Sequence, residues 1–186
     1  MSRKYKFRDQ TAVYFTTFAT VYWIDVFTRK SYKDHIVNSL NYCIENKGLI
    51  VNSWIIMTNH VHLIIGTEDE NMQDILRDMK KFTSRTIREA IEDNPKESRK
   101  KWMLDLFMKA GYQNSNNEKF QFWQQNNHPL VIKNAFAFKQ KLNYIHNNPV
   151  KAGIVQNAED YLYGSARDYA GKQGLVKVRI LEKYGI

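Results

Sequence analysis

The sequence lacks several features that are typical of secreted and membrane proteins. Cys43 is the only cysteine among 186 residues, so no intrachain disulfide can form, which fits a reducing compartment. No apolar run approaches the roughly 20 residues needed to span a bilayer. The basic start over residues 1–10 is not followed by the apolar segment of a secretory signal. We therefore expect a cytoplasmic protein without a membrane partner.

Acidic residues are also few, since 19 Asp and Glu stand against 28 Lys and Arg, a formal net charge of +9. This excess favours a polyanionic partner, either nucleic acid or an anionic surface. The hydrophobic content of 43% is sufficient for a core, and the length suits one domain. We expect a lead-in over residues 1–10, a domain over 11–149 and a tail over 150–186 that packs on it.

The pattern of apolar residues predicts alternating strands and helices. Runs of β-branched and aromatic residues predict strands, and apolar residues spaced by three and four predict helices. In chain order we expect a strand at Ala12–Trp23, a helix at Ser31–Asn46, two strands within Trp54–Gly66, a helix at Met72–Glu92, a helix at Lys100–Ala110, a strand at Phe120–Trp123 and a helix at Val131–Asn147. Pro149 should end the last helix, because the residue before a proline disfavours the helical conformation. This order predicts an α+β fold with an antiparallel sheet and helices on one face, similar to the ferredoxin-like split βαβ arrangement.

Two histidines separated by one residue follow a polar break at Thr58–Asn59. Alternate side chains of a strand share a face, so His60 and His62 should point the same way, about 7 Å apart along the backbone. Two imidazoles on one face can bind one metal ion. A catalytic metal usually has at least three protein ligands, however, so the pair alone is equally compatible with a chance occurrence.

A tyrosine on the last predicted helix is a candidate reactive group. At about 100° per residue, Tyr144 lies almost opposite the apolar seam of that helix, and Lys141 and Asn148 share its side. A phenol is a poor nucleophile unaided, but it can attack a phosphodiester that a metal ion polarises. Asn148 would supply a third ligand through its amide oxygen, and Lys141 would stabilise charge on the phenolate or the phosphate. Alternatively, Tyr144 is an ordinary surface residue among eleven tyrosines.

The long predicted helix carries a row of basic side chains away from its apolar stripe. The row consists of Arg77, Lys81, Arg85 and Arg88, with Lys80 beside it. It is either an ordinary solvated helix face or, next to a polyanion, a surface that contacts phosphates. We predict DNA contacts from this row and from Lys141.

Two stretches resemble the motifs of a family of DNA transposases. The sequence WIIMTNHVHLII resembles the H-hydrophobic-H signature of HUH single-strand endonucleases. The later sequence FKQKLNYIHNNPVKAGIV resembles the tyrosine motif of the REP-associated tyrosine transposases, and FQFWQQNNHP and YLYGSARDYAG resemble further segments of that family. The resemblance runs from about Thr11 to Gly171. Thr58 departs from it where the family often has proline, and Gly164 replaces the first serine of a frequent Ser-Ser pair.

The resemblance implies an HUH endonuclease fold that binds Mg²⁺ or Mn²⁺. It assigns the nucleophile to Tyr144 and the metal ligands to His60, His62 and Asn148. It implies cleavage and rejoining of single-stranded DNA beside palindromic hairpins, through a covalent 5′-phosphotyrosine, by a monomer or a homodimer. Side-chain chemistry does not select the metal, because imidazoles suit Zn²⁺ as well and Mg²⁺ prefers oxygen ligands.

Two other functions are compatible with the same pattern. A ferredoxin-like sheet with aromatic side chains can be a nucleic-acid-binding platform without catalysis, in which case Tyr144 carries no activity. A metal-dependent hydrolase would use water, would leave Tyr144 as a bystander and would release free 5′-phosphates. His146 lies about 200° around the helix from Tyr144, so we expect it to serve packing.

Overall fold

The structure, a computed structural model, describes residues 7–68, 70–114, 119–125 and 129–181. Within them, the strands β1 (Tyr14–Ala19), β2 (Leu49–Ile56), β3 (His60–Thr67) and β4 (Leu130–Val131) form an antiparallel sheet in the order β2-β3-β1-β4. The helices are α1 (Lys30–Asn46), α2 (Met72–Asp93), α3 (Lys100–Tyr112), α4 (Ala135–Lys151) and α5 (Ala166–Tyr169). This arrangement is ferredoxin-like, which confirms the predicted α+β fold class. None of the described helices is long and apolar enough to cross a membrane.

The pairing of β1 with β3 places both histidines on one face of the sheet. Thr17 lies opposite His62 and Ala19 lies opposite His60 in the register of the two strands. The alternate side chains of β3 point to the other face of the sheet and are buried: Val61, Leu63 and Ile65. The sheet therefore has one face that carries the histidines and one that is apolar along β3 from Val61 to Ile65.

Helices cover both faces of this sheet. On the apolar face α1 and α2 pack together, and the Lys80 Nζ of α2 lies 5.3 Å from the centre of the Phe18 ring. On the histidine face lies α4, whose Tyr144 ring meets the Phe15 ring edge-on at 6.0 Å between centres. The prediction of helices on one face is therefore wrong, because α4 has an apolar seam of its own to bury. That seam consists of Phe138, Leu142, Ile145 and Pro149.

The start of α4 differs from the prediction. Val131 lies in β4 and pairs with Tyr14, so the helix does not begin there. It begins at Ala135, because the side chain of Asn134 caps it by accepting a hydrogen bond from the amide of Ala137 at 2.9 Å. The spacing of Val131 matches the seam of α4 only by coincidence.

The end of α4 also differs, because Pro149 lies inside the helix and does not end it. The helix continues to Lys151 and ends at a left-handed residue, Gly153, with φ of 68°. The amide of Gly153 donates to the carbonyl of Val150, and the amide of Ile154 donates to the carbonyl of Pro149. These two bonds form a Schellman motif. Burial of the proline ring in the seam offsets the backbone hydrogen bond that Pro149 cannot donate.

Two predicted strands are shorter than expected or absent. The first strand ends at Ala19, because Val21–Trp23 form a 3-10 turn. The segment Phe120–Trp123 does not form a strand but makes an isolated β-bridge through Trp123. The chain thus turns sharply after β1, and the segment 119–125 packs against this turn.

The residues after α4 run back along the edge strand β2. The hydroxyl of Tyr161 donates to the carbonyl of Ile56 at 2.7 Å, and the amide of Arg179 donates to the carbonyl of Val51 at 2.8 Å. These bonds cover backbone groups that an edge strand would otherwise expose. The expected boundary between residues 149 and 150 falls within α4, and the expected lead-in is described only from Phe7 onward.

Replacing Gly153 with alanine should destabilise the protein by about 1 kcal/mol, because a side chain strains a residue at positive φ. In a chain of this size the loss lowers Tm by about 2–4 °C. The matched control is Gly66→Ala, whose new methyl group would meet Ile50 Cβ at an ordinary distance of 3.9 Å. Thermal unfolding of both variants measures the difference. Equal Tm values would contradict the left-handed end of α4.

Candidate active site

The two histidines at the start of β3 lie side by side, with ring centres 4.6 Å apart. The hydroxyl of Thr17 lies 2.8 Å from Nδ1 of His62. The side-chain oxygen of Asn59 lies 2.7 Å from Nδ1 of His60. Because an amide oxygen can only accept, Nδ1 of His60 carries the proton, and the lone pair of its Nε2 remains available to a ligand.

Asn59 is itself held in place by the segment that follows β1. Its side-chain nitrogen donates to the carbonyl of Trp23 at 3.1 Å, which directs its oxygen toward His60. Contacts of this kind fix the ring orientation of metal-binding histidines. The sequence predicts Asn59 only as part of a polar break, and its position directly before the H-x-H motif is the signal for this orienting role.

Burial keeps both imidazoles neutral. Burial, together with the electrostatic effects of the neighbouring His60 and Lys141, lowers the pKa of His62 to about 3. Burial also lowers the pKa of His60. Near pH 7 both rings are therefore in the neutral form, which is the form that can bind a metal ion.

Tyr144 of α4 lies against His62. Its Oη is 3.4 Å from Nε2 of His62, and the two ring centres are 5.1 Å apart. The Lys141 Nζ lies 4.7 Å from the ring centre of Phe15 and 5.8 Å from that of Tyr144. The tyrosine is 44% exposed, so a substrate can reach it. The structure thus brings together, within one chain, two motifs that are 82 residues apart.

His146 ties α4 to the sheet and to the segment after the helix. Its Nε2 lies 3.0 Å from the hydroxyl oxygen of Ser165, which in turn lies 2.9 Å from that of Ser53 on β2. The His146 ring also meets the Tyr169 ring at 5.1 Å between centres. These contacts confirm the packing role predicted for His146, and they hold α4 in the orientation that presents Tyr144.

The side chains of His60, His62 and Asn148 provide some of the ligand atoms that a divalent metal ion needs. Two neutral imidazoles fit a divalent transition ion, and an amide oxygen suits Mg²⁺ or Mn²⁺. The side-chain nitrogen of Asn148 donates to the carbonyl of Tyr144 at 3.4 Å, so the helix holds this amide beside the tyrosine. The assignment of Asn148 as the third ligand stays a prediction. In the part of the chain that the structure describes, no three His, Cys, Asp or Glu side chains form a metal-binding group.

A groove of about 490 Å³ lies between α2 and the segment 119–125. Four of the predicted DNA-binding residues line it: Lys80, Lys81, Arg85 and Arg88. The ring of Phe120 forms part of the same lining, and the Arg88 guanidinium lies 5.4 Å from its centre. Basic side chains interleaved with aromatic rings are typical of grooves that bind nucleic acid.

The other predicted DNA contacts have different surroundings. Arg77 lies outside the groove and pairs with Asp74 and Asp78. Lys80 donates to the carbonyl of Gln124 at 2.9 Å, so it also holds the groove wall against α2. Burial lowers the pKa of Lys80 to about 8. Lys141 lies at the tyrosine instead. Arg88 of the groove also forms an ion pair, with Glu92 at 3.3 Å. The structure therefore divides the predicted residues into four that line the groove, Arg77 outside it and Lys141 beside Tyr144.

A ferredoxin-like sheet with two histidines on one strand and a tyrosine helix docked over them is the HUH endonuclease fold. The family model of the IS200-like transposases matches the sequence over residues 10–118, which is more than half of the chain. The chain therefore belongs to that family. It is therefore a transposase, a DNA-cleaving enzyme. The matched segment includes both histidines and ends before α4.

Comparison with solved structures extends the likeness to the rest of the chain. A REP-associated tyrosine transposase bound to a REP hairpin has a TM-score of 0.62 and 17% identity, over 96% of this chain and 92% of that one. A protein of Deinococcus radiodurans described as a transposase has a TM-score of 0.45 and 18% identity, over 79% of this chain and 95% of that one. No curated protein matches the chain. Together, the family model and the first of these folds confirm the predicted resemblance to the REP-associated transposases.

Replacing Asn59 with alanine should weaken Mn²⁺ binding by about 10- to 100-fold, because the His60 ring loses the partner that orients it. Titration of the protein with Mn²⁺, followed by electron paramagnetic resonance, measures this affinity. The control is Asn46→Ala, which removes an exposed amide on α1 that bonds only within its own helix. Wild-type affinity in the Asn59 variant would show that the histidines need no such support.

Proposed function

We propose that this transposase cleaves and rejoins single-stranded DNA beside hairpins through a covalent 5′-phosphotyrosine on Tyr144. The observation that carries the proposal is the distance of 3.4 Å between Oη of Tyr144 and Nε2 of His62. Both atoms belong to the same chain, which supports cleavage in cis by a single copy. The resemblance left a monomer and a homodimer open, and this contact favours the monomer as the cleaving unit.

The reaction is a transesterification. The Tyr144 oxygen attacks the phosphorus of the scissile phosphodiester, and the bond from phosphorus to the 3′ oxygen breaks. The phenolic proton passes to water, and the departing 3′ oxygen takes up a proton to become a 3′-OH. The phosphate stays on the tyrosine, and a second 3′-OH reverses these steps and joins the strands without ATP.

The residues around Tyr144 favour this attack. Lys141 places a positive charge beside the phenol ring, where it stabilises the phenolate and the phosphate oxygens. His60 and His62, with the Asn148 amide oxygen, would hold Mg²⁺ or Mn²⁺. When bound, the ion supplies charge stabilisation at the phosphate oxygens. The packing of α4 keeps Tyr144 beside His62, so little reorganisation is needed before attack.

The groove beside α2 is the proposed site for the backbone of a hairpin. Its basic residues lie on the face of α2 that borders the segment 119–125, away from the ion-paired Arg77. The REP-associated transposase of similar fold was solved with a REP hairpin, which supports a hairpin partner here. Phosphate contacts of this kind position a nucleic acid without reading its sequence.

Replacing Tyr144 with phenylalanine should abolish the covalent protein–DNA adduct, a loss on the order of 10³-fold or more, because the nucleophile is removed. DNA binding should survive, since the ring remains. The assay incubates the protein with Mn²⁺ and labelled single-stranded hairpins from the DNA that flanks its own gene, followed by a denaturing gel. Tyr42→Phe, at an exposed tyrosine on α1, is the matched control and should form the adduct normally.

The same gel separates the alternative functions. A non-catalytic binding protein would give no adduct, and Tyr144→Phe would change nothing. A water-using hydrolase would release free 5′-phosphates without an adduct in either protein. Either outcome would contradict the proposed transesterification.

Replacing Arg85 with alanine should reduce the slope of log affinity against log salt concentration by about 1 for a hairpin, because one phosphate contact is lost. Arg77→Ala is the matched control on the same helix, and it should leave the slope unchanged because Asp74 and Asp78 already neutralise Arg77. Fluorescence anisotropy of a labelled hairpin over a range of salt concentrations measures both. Equal slopes in the two variants would place the hairpin elsewhere.

A further inference from the structure

Two exposed aromatic residues directly after β1 have an unusual backbone. Tyr22 and Trp23 have φ of 53° and 55°, in the left-handed region that residues with side chains rarely adopt. Their side chains are 47% and 54% exposed, so burial in the core does not explain this conformation. Strained backbone of this kind clusters at functional sites. We call Val21–Trp23 the aromatic corner.

Hydrogen bonds from distant segments hold the aromatic corner in this conformation. The hydroxyl of Tyr22 donates to the Gln113 side chain at 2.6 Å, and the amide of Val21 donates to the carbonyl of Phe122 at 2.9 Å. The carbonyl of Trp23 accepts the bond from Asn59 described above. Three separate parts of the chain therefore fix two rings that remain in contact with solvent.

The aromatic corner adjoins both the histidines and the basic groove. The Trp23 ring meets the His60 ring at 5.8 Å between centres. The His60 ring in turn contacts the His62 ring, and the His62 ring contacts the Tyr144 ring. On the other side, Gln124 lines the groove and donates to the carbonyl of Thr20, directly before the corner. A single DNA strand that ran from the groove to Tyr144 would therefore pass the exposed rings of the aromatic corner.

We propose that Trp23, supported by Tyr22, is the stacking surface for an unpaired nucleobase next to the scissile phosphate. This proposal rests on the proposed function, since it takes Tyr144 as the position of that phosphate. A rigid aromatic ring is well suited to this task, because every base has a face that can stack on it and little side-chain freedom is lost. The net charge of +9 and the neighbouring basic groove favour a nucleic acid over a protein as the occupant.

The chain offers a matched control among its four tryptophans. Trp54 and Trp123 are buried, whereas Trp102 on α3 is 51% exposed, close to the value for Trp23. The probe is a deoxythymidine strand of about ten nucleotides, within the usual site size of a single-strand-binding groove. Binding is measured in metal-free buffer, both by the affinity and by the quenching of tryptophan emission.

Trp23→Ala should weaken binding of this strand by about tenfold, within the range for one stacked base, and should remove most of the quenching. Trp23→Tyr, which keeps an aromatic ring, should restore most of the affinity, and Trp102→Ala should bind like the wild type. On a fully abasic strand of equal length, wild type and Trp23→Ala should bind equally, because the phosphates remain and the bases are gone. Circular dichroism confirms that each variant is folded.

If Trp23→Ala and Trp102→Ala bind the deoxythymidine strand with affinities within twofold of each other, the stacking proposal is overturned. A loss of affinity in Trp23→Ala that persists on the abasic strand would overturn it as well. The adduct assay on Tyr144 separates this failure from failure of the proposed function. A normal wild-type adduct with unchanged binding by Trp23→Ala would overturn the stacking surface alone. Absence of the adduct with the binding loss intact would overturn the covalent mechanism, and with it the placement of the stacked base next to a scissile phosphate, but would leave Trp23 as a stacking surface.

Discussion

The docking of α4 on the histidine face of the sheet is the interaction on which the active site depends. It is made by apolar packing, since Phe138, Leu142, Ile145 and Pro149 are buried in one seam. Burial of such side chains contributes about 1.5–3 kcal/mol each, whereas the contact between Tyr144 and His62, at 3.4 Å, is long for a hydrogen bond. A rotation of α4 by one residue, about 100°, would carry the tyrosine away from the histidines. The position of Tyr144, the proposed nucleophile, is therefore a consequence of core packing, and the polar bonds of His146 refine it.

Burial has a second effect at the same place. The docked helix and the neighbouring strands remove His62 from water, which lowers its pKa to about 3 and keeps the ring neutral. A neutral imidazole needs a hydrogen-bond partner to fix its orientation, and Thr17 and Asn59 provide one for each histidine. The packing that positions Tyr144 thus also keeps both imidazoles neutral, as the proposed metal ligands must be, so that the candidate site is organised before any substrate arrives.

The sequence predicted the parts of this site that depend on local periodicity. A strand repeats every two residues, so His60 and His62 share a face wherever the strand begins, and the phase of a helix aims Tyr144 in the same way. Predictions at the ends of α4 were wrong because tertiary contacts decided them: Val131 pairs with Tyr14, and Pro149 is held in the seam. The left-handed backbone of the aromatic corner and the bond from Asn59 to Trp23 were not predictable, since both depend on contacts between segments far apart in the chain. For Asn59 the sequence offered only its position directly before His60.

These long-range bonds make the aromatic corner and the histidines one mechanical unit. The carbonyl of Trp23 holds Asn59, and Asn59 holds His60, so the orientation of an imidazole depends on the backbone of an exposed tryptophan. The preceding residue, Tyr22, is tied to Gln113 at the end of α3, and Gln124 of the groove wall bonds to Thr20. A displacement of the corner therefore cannot leave both the groove wall and His60 unchanged. The strain at Tyr22 and Trp23 is on the order of 1 kcal/mol or more for each residue. These long-range bonds hold it, together with local bonds of the turn such as that from the amide of Trp23 to the carbonyl of Thr20 at 3.1 Å. The same bonds hold two exposed aromatic rings in a fixed position beside His60 and the buried His62.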